Sequence, residues 1–277
     1  MLPIEAVSAL QPPLFFPAEE CSERREADSK HAIRDMLTKS EIKRIRSLGD
    51  KTGRENENRF VAEGEKLVGE LLASDFTVHE VYRVGENVSA AEMGRLSFLR
   101  TPTPVLAVAE IPARPAAANI EGLCLALDDV QDPGNVGTII RLADWFGVRE
   151  VFCSPATADC WSPKVVQATM GAILRVRVHY GPLEPLLKRA AESGVPIYGT
   201  FLQGENIYSL DLAPDRGVVV MGNEGRGIST AVAGRVSHKL HIPPYPFEAS
   251  DPTSESLNVA MATAIVLSEF RRRGCRS

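Results

Sequence analysis

Three polar clusters in this 277-residue chain hold side chains suited to chemistry. In "DDVQDPGNVGTIIRLADWFG", residues 128–147, the amide of Asn135 and the guanidinium of Arg141 stand six residues apart near the start of a helical pattern. Six residues is less than two turns, roughly 9 Å along a helix axis, so both can face one ligand. In "VVVMGNEGRGIST", residues 218–230, an apolar β-branched run enters a Gly-rich turn whose centre is an acid, Glu224. In "ESLNVAMATAIVLSEF", residues 255–270, Ser256 and Asn258 stand ahead of an apolar helix. An amide, a guanidinium and a carboxylate can orient a polar substrate and steady developing charge.

Each cluster also has a plainer reading, and at this point both stay open. Asn135 can serve only as a helix cap while Arg141 pairs with Asp144, and Ser256 and Asn258 are good capping residues. The Gly-rich turn lacks the Lys of a phosphate loop, and Gly222, Gly225 and Gly227 do not have dinucleotide spacing. Glu224 would repel a pyrophosphate, so the turn suits a neutral or cationic ligand or a ribose hydroxyl. Cys153, Cys160 and His179 match no metal framework, and no metal is expected. Trp145, Phe146 and Trp161 read as packing residues rather than base-stacking ones.

The elements that must position these clusters alternate. Strands are legible at "LCLALDDV", "EVFCSP", "RVRVHY", "PIYGTFL", "GVVVMGN" and "KLHIPP". Helices are legible at "TIIRLADWFGV", "SPKVVQATMGAIL", "PLEPLLKRAAESG", "GISTAVAGRVS" and "SLNVAMATAIVLSEF". Near-continuous apolar strands alternating with helices predict an α/β domain over 120–277, with a mostly parallel sheet covered on both faces. Ligands of such sheets gather at the carboxyl ends of the strands, where the three clusters fall. Ser162 before Pro163 predicts a helix start, and "RRR" at the end of the last helix places cations where its dipole favours them. Upstream, 37–110 reads as a smaller α/β domain that opens on a Thr38/Glu41 capping box, with Ile42, Ile45 and Leu48 at helical spacing. The Pro- and Ala-rich residues 111–119 read as a linker, and 1–36 as a disordered or loosely attached tail.

A hydrophobic content of 44% is ample for a core, and the net charge of −5 at first argues against nucleic acid. Its distribution reverses that: residues 1–35 carry seven acids against four Lys and Arg, whereas 39–59 carry seven Lys and Arg against four acids. Local charge decides phosphate affinity. Lys39, Lys43, Arg44, Arg46, Lys51, Arg54 and Arg59 are therefore RNA-binding candidates, with a solvated helix face as the plainer reading. The chain has neither a run long enough to span a bilayer nor a secretory start, and its five cysteines form no CxxC pair. These features point to a cytoplasmic protein with no membrane partner.

Taken in order, "NVGTIIRLADWFGV", "VVVMGNEGRGIS" and "SLNVAMATAIVLSEF" resemble the three motifs of the SpoU (TrmH) family of RNA ribose 2′-O-methyltransferases in the SPOUT superfamily. The resemblance covers about 120–270. Residues 37–68 are similar to the L30e-like substrate-binding domain of family members that act on ribosomal RNA. The resemblance implies S-adenosylmethionine as methyl donor, a C-terminal trefoil knot, and a homodimer with its site completed at the subunit interface. RNA, large-subunit ribosomal RNA first, is the implied substrate, with transfer RNA or a non-catalytic ribosome-assembly role as alternatives and DNA not expected. By motif position it implies Asn135, Arg141, Glu224, Ser256 and Asn258 as catalytic residues, and Thr200, Gly222, Ile242 and Leu257 as cofactor-binding ones. Glu224 and Asn258 are expected to orient Arg141 and the cofactor pocket, and Asn135 to position the ribose. The tract between Ile242 and Ser256, with Pro246, Phe247 and Asp251, is longer than the family norm and is read either as a substrate contact or, the favoured reading, as packing on a partner subunit.

Overall fold

The computed structural model describes residues 37–113, 120–245 and 256–274. The expected tail, residues 114–119 of the linker, and Pro246, Phe247 and Asp251 lie outside the described residues.

The first sheet is built around "VLAVAE". Helix α1 (Lys39–Ser47) starts at the expected capping box: the Glu41 N–H donates to Thr38 Oγ1 at 3.2 Å, and the Thr38 N–H donates to the Glu41 carboxylate at 2.9 Å. Its apolar stripe buries Ile42 and Ile45. There follow α2 (Lys51–Glu57), β1 (Arg59–Glu63), α3 (Glu65–Leu72), β2 (Val78–Arg83), α4 (Ala90–Leu96) and β3 (Val105–Glu110). The three strands are antiparallel in the order β1-β3-β2, so the most apolar of them takes the centre. Helices α2 and α4 go beyond the sequence expectation. Ser89 and Glu92 cap α4 by the same reciprocal box as α1.

The second sheet has six strands: β4 (Leu123–Asp128), β5 (Glu150–Cys153), β6 (Arg177–Tyr180), β7 (Ile197–Asn206), β8 (Gly217–Gly222) and β9 (His238–His241). All their pairings are parallel, in the order β6-β5-β4-β8-β7-β9. Helices α5 (Pro133–Trp145), α6 (Pro163–Ala168) and α9 (Val259–Gly274) cover one face around Val136, Ile139, Val165 and Phe270. Helices α7 (Leu183–Glu192) and α8 (Thr230–Ala233) cover the other around Leu187 and Val232. The chain leaves β4 toward one face and β8 toward the other, so the boundary between these adjacent strands is a topological switch point, where α/β sheets open a crevice. Asp128 and Gly222 face each other there in register.

The helix expected over 162–174 is shorter. It stops at Ala168, Met170 and Gly171 take positive φ (51° and 92°), and a 3-10 turn, Ala172–Leu174, follows. Gly171 is required here, since a Cβ would add strain at that φ and lie 2.4 Å from Glu70 Oε2. Ser162 does precede Pro163 as the cap, but its buried hydroxyl makes no hydrogen bond. Trp161 packs as expected: its ring lies 4.8 Å from Phe60 of the first sheet. Trp145 does not, being 83% exposed.

The arginines closing α9 do more than complement its dipole. Arg271 donates to the Phe146 carbonyl (2.7 Å), the Pro214 carbonyl (3.0 Å) and Asp215 (2.8 Å), and Arg273 to the Tyr208 carbonyl (2.9 Å). Buried Glu269 accepts from Arg272 and Arg273, which hold its carboxyl below the ordinary value of 4.5. No described helix is long and apolar enough to cross a membrane. A depressed carboxyl pKa stabilises the fold above the ordinary carboxyl range and ceases to do so as pH falls through the depressed value. Glu269→Gln is therefore expected to lower Tm at pH 7 by a few degrees, about 1–2 kcal/mol for charge-assisted bonds. The gap from the parent should close as thermal melts are taken below pH 4.5.

Candidate functional site

The site grows from the carboxyl ends of β4 and β8. After β8 the chain makes a tight turn closed by an Asn223–Gly227 bridge. Gly222 is required by close approach: a Cβ there would lie 2.4 Å from the Gly227 carbonyl carbon and the Ile228 nitrogen. The Asn223 side chain folds the turn from inside. Its Oδ1 accepts from the Gly225 and Arg226 N–H groups at 3.0 Å, and its Nδ2 donates to the Asp129 carbonyl at 2.8 Å. Asp128, buried at the end of β4, accepts the Ser229 N–H at 2.7 Å, and the Gly227 N–H goes to the Asn223 carbonyl. A phosphate loop keeps such amides free for its ligand. Here the N–H groups of 223, 225, 226, 227 and 229 are consumed within the protein, and Glu224 projects from the turn into solvent.

Helix α5 faces this turn. Its cap is Asp132, whose carboxylate accepts the Asn135 N–H at 2.9 Å, with Pro133 opening the helix. This corrects the reading of Asn135 as the cap: Asn135 lies inside the first turn with its side chain free for other work. Its Nδ2 donates to Glu224 Oε1 at 2.9 Å, and its Oδ1 accepts from Asn258 Nδ2 at 3.0 Å. Asn258 in turn caps α9, its Oδ1 accepting the N–H groups of Ala260 (2.9 Å) and Met261 (3.3 Å). Asn258 therefore caps the helix as expected, and its amide meets Asn135 rather than Arg141. Three residues separated by about a hundred positions in sequence form one chain, Asn258 to Asn135 to Glu224.

Arg141 is one and a half turns along α5 from Asn135, exposed, and makes no hydrogen bond or ion pair with a described residue. Its anticipated partner Asp144 is taken by Arg175 at 2.9 Å. Glu224 holds Asn135 and not Arg141, which corrects the expected pairing. Ser256 is exposed beside Leu257, which is 51% exposed. Thr200, where the β7–β9 register breaks, donates to the Met221 sulfur at 3.9 Å. Ile242 follows β9 and packs on the core. Thr200 at the register break within β7, Gly222 at the end of β8 and Ile242 just past β9 thus lie on three neighbouring strands, with apolar Leu202, 69% exposed, also on β7.

The basic candidates divide. Lys39 and Lys43 are exposed with no bond to a described residue. Arg46 is exposed but donates to the Ser97 carbonyl and stacks over Phe98, and Lys51 pairs with Glu55 at 3.9 Å. Arg44 and Arg59 are held by Glu57 and Glu80. Arg54 is 3% exposed and bonded to Asp159, so its assignment to an RNA surface is corrected: it faces inward. Sequence reading passed over Asp128, Asp129, Asp132 and Asn223. Only Asp132, an Asx residue directly before Pro133, carried a usable signal.

The two backbone N–H groups at the head of α9 make the orientation of this chain testable. In Asn258→Asp the cap survives, since Asp caps as well as Asn. A second acceptor then meets Asn135, whose amide must turn and present its oxygen to Glu224. The expected result is an unfolding free energy within about 0.5 kcal/mol of the parent, with Glu224 released from Asn135 in a crystal structure of the variant.

The profile of the SpoU rRNA Methylase family matches residues 122–268, and that of the MRM3-like substrate binding domain matches 39–109. The 23S rRNA (guanosine(2553)-2′-O)-methyltransferase RlmP of Bacillus subtilis is 30% identical over 244 residues, 83% of this chain and 95% of that protein. The RlmB 23S rRNA (guanosine-2′-O-)-methyltransferase of Neisseria meningitidis is 33% identical over 153 residues, and the match spans 58% of its length. Among solved structures, the AdoMet-bound rRNA methyltransferase of Sinorhizobium meliloti superposes with a TM-score of 0.75 at 29% identity, covering 87% of this chain and 97% of that one. A parallel sheet whose switch point gathers Asn135, Glu224 and Asn258 thus coincides with a match over more than half the chain, and the chain belongs to the SpoU rRNA Methylase family.

Proposed function

We propose that the protein transfers the methyl group of S-adenosylmethionine to a ribose 2′-hydroxyl of RNA, large-subunit ribosomal RNA in particular. The observation that carries this reading is the Asn258–Asn135–Glu224 chain at the switch point, with Arg141, which has no partner among the described residues, on the helix of Asn135. The substrates printed for the Bacillus subtilis and Neisseria meningitidis relatives support the RNA class, and the AdoMet-bound relative supports the donor. The residues present suit that donor. A turn whose amides are spent and whose side chain is a carboxylate disfavours phosphate and tolerates a cation, and the exposed apolar Leu202 and Leu257 suit an uncharged adenosine. Thr200, Gly222, Ile242 and Leu257 would hold it.

S-adenosylmethionine, when bound, supplies an electrophilic methyl carbon on a sulfonium. The protein has to align the ribose oxygen with it and help remove a weakly acidic proton. Asn135 has one amide hydrogen and one lone pair left after its two bonds, enough to position a ribose. Glu224 and Asn258 hold it in the required orientation. Arg141 stays protonated and is no base; it binds the neighbouring phosphate and steadies negative charge on the 2′-oxygen, whose proton passes to water or phosphate. Ser256 borders this space.

We also propose the remaining features that the resemblance implies: a C-terminal trefoil knot, an L30e-like first domain over 37–110, a methyltransferase domain over 120–277, and a homodimer. The knot is supported by the return of the chain from edge strand β9 to α5. The dimer is supported by α5 and α9 leaving Trp145 and Met261 exposed, 83% and 54%, with Leu257, 51% exposed, just ahead of α9. Three buried free thiols, Cys124, Cys153 and Cys160, support a reducing cytoplasmic setting.

Three measurements test this. Ribosomal RNA from cells lacking the gene should lose one 2′-O-methyl site; loss of none would favour a non-catalytic binding factor, and a lost transfer RNA site would move the substrate. Arg141→Lys should lower kcat roughly 100-fold at saturating RNA with donor affinity unchanged, because the planar fork is lost. Reversing Lys39 and Lys43 to Glu should flatten the dependence of log affinity on log salt by about 1.5, two phosphate contacts' worth, whereas reversing Arg54 should unfold the first domain rather than change that slope.

A further inference from the structure

Arg54 is the most buried cation of the first domain, and its partner lies in the second. Its Nε and Nη2 both donate to Asp159 Oδ2, at 3.0 and 2.5 Å, while Nη1 donates to the Leu48 and Gly49 carbonyls at 2.7 and 2.8 Å. Asp159 is fixed in turn, because its Oδ1 accepts the Trp161 N–H at 2.9 Å. The segment that carries Asp159, residues 154–160, is stitched to the strand end that leads into the site. Thr157 donates to the Leu127 carbonyl (3.0 Å), the Ala158 N–H to the Val130 carbonyl (3.0 Å), and Ser154 to Asp129 Oδ1 (2.6 Å). The Tyr180 hydroxyl spans it, donating to the Ala158 carbonyl (2.6 Å) and accepting the Cys160 N–H (2.8 Å).

We infer that Arg54 and Asp159 are positioning residues that hold the RNA-binding surface at Lys39 and Lys43 at a fixed span from Asn135 and Arg141, so that the methylated nucleotide is selected by distance. The inference rests on the proposed RNA methylation. The apolar seam of Phe60, Trp161 and Val166 holds the domains together, but apolar contact has no direction and tolerates sliding. An ion pair with two donors on one oxygen does not slide. Buried pairs of this kind add little net stability and are best understood by the geometry they impose. The stitched 154–160 segment carries that geometry to the strand end from which α5 departs.

The test uses the full chain with Cys21 and Cys275 replaced by Ser and spin labels at Arg95→Cys and Arg149→Cys, both exposed, one on each domain. The parent should give one narrow interspin distance. Asp159→Asn, which strands the buried Arg54 charge and should lower Tm, and separately Arg54→Met paired with Asp159→Leu, which strands no charge and should nearly keep it, should each at least double the width of the distribution. In single-turnover methylation of ribosomal RNA, both variants should lose about tenfold in rate at saturating RNA and spread methyl groups onto neighbouring nucleotides, with S-adenosylmethionine affinity within twofold of the parent. An unchanged distance width, or a donor affinity that falls in step with rate, would overturn the inference. A parent that methylates no RNA would sink the proposed function instead, and the distance measurement would still decide the clamp.

Discussion

The site depends on two backbone N–H groups at the head of α9. A helix start leaves its first amides without intrahelical partners, and here Ala260 and Met261 take the Asn258 oxygen. An amide side chain has one oxygen and one nitrogen, so fixing the oxygen fixes the nitrogen. That nitrogen must meet an acceptor, which turns Asn135 Oδ1 toward α9 and leaves Asn135 Nδ2 to face Glu224. The orientation of three side chains from three segments is thereby set by a helix end, without any charge being buried. The rest of the second domain brings α5, α9 and the β8 turn within reach of one another, which is what the β4–β8 switch point accomplishes.

The β8 turn shows why a Gly-rich strand-to-helix connection need not bind phosphate. Affinity for an anion requires amide dipoles left unpaired, and Asn223, Gly227 and Asp128 use up those of this turn. The same bonds make the turn rigid enough to aim Glu224. Asp129 extends that rigidity: held at φ 58°, it accepts the Asn223 side chain on its carbonyl and pairs with Arg226 at 3.3 Å. A non-glycine residue in that region costs free energy, and its three polar contacts offset the cost.

Much of the fold was legible because a parallel sheet buries both faces of its strands. The apolar runs of the central strands β4 and β8 could not be solvent-exposed, and the alternation of strands with helices left few topologies. Short-range polar signals were legible too: Thr38 and Glu41 cap α1 as their spacing implies. The errors have a common cause. "DPGN" offers two Asx residues three apart, and Asn135 was taken for the cap although Pro133 marks the residue before itself as the better choice. Arg54 sits among exposed cations in sequence, and only Asp159, 105 residues away, turns it inward. The Met170–Gly171 break brings Gly171 against Glu70, equally remote in the chain. Local pattern reports propensity, whereas the partner of a buried polar group is a tertiary fact.

Arg141 is best understood through what its neighbours already hold. On a helix surface an Arg and an Asp three positions apart ordinarily pair, worth a few tenths of a kcal/mol, about 0.2–0.5. Asp144 is instead drawn off α5 by Arg175, which also binds Glu70 of the first domain at 2.9 Å. The interdomain contact thus removes the one acid that would have occupied Arg141. Glu224, the other nearby candidate acid, is held by Asn135. A guanidinium that keeps its charge and has been denied both acids presents five donors to solvent, and the group that fits them is an external anion with oxygens in a plane. Under the proposed function a backbone phosphate would meet that requirement, and the contact of Arg175 with Glu70 and Asp144 is what leaves Arg141 without its helix neighbour.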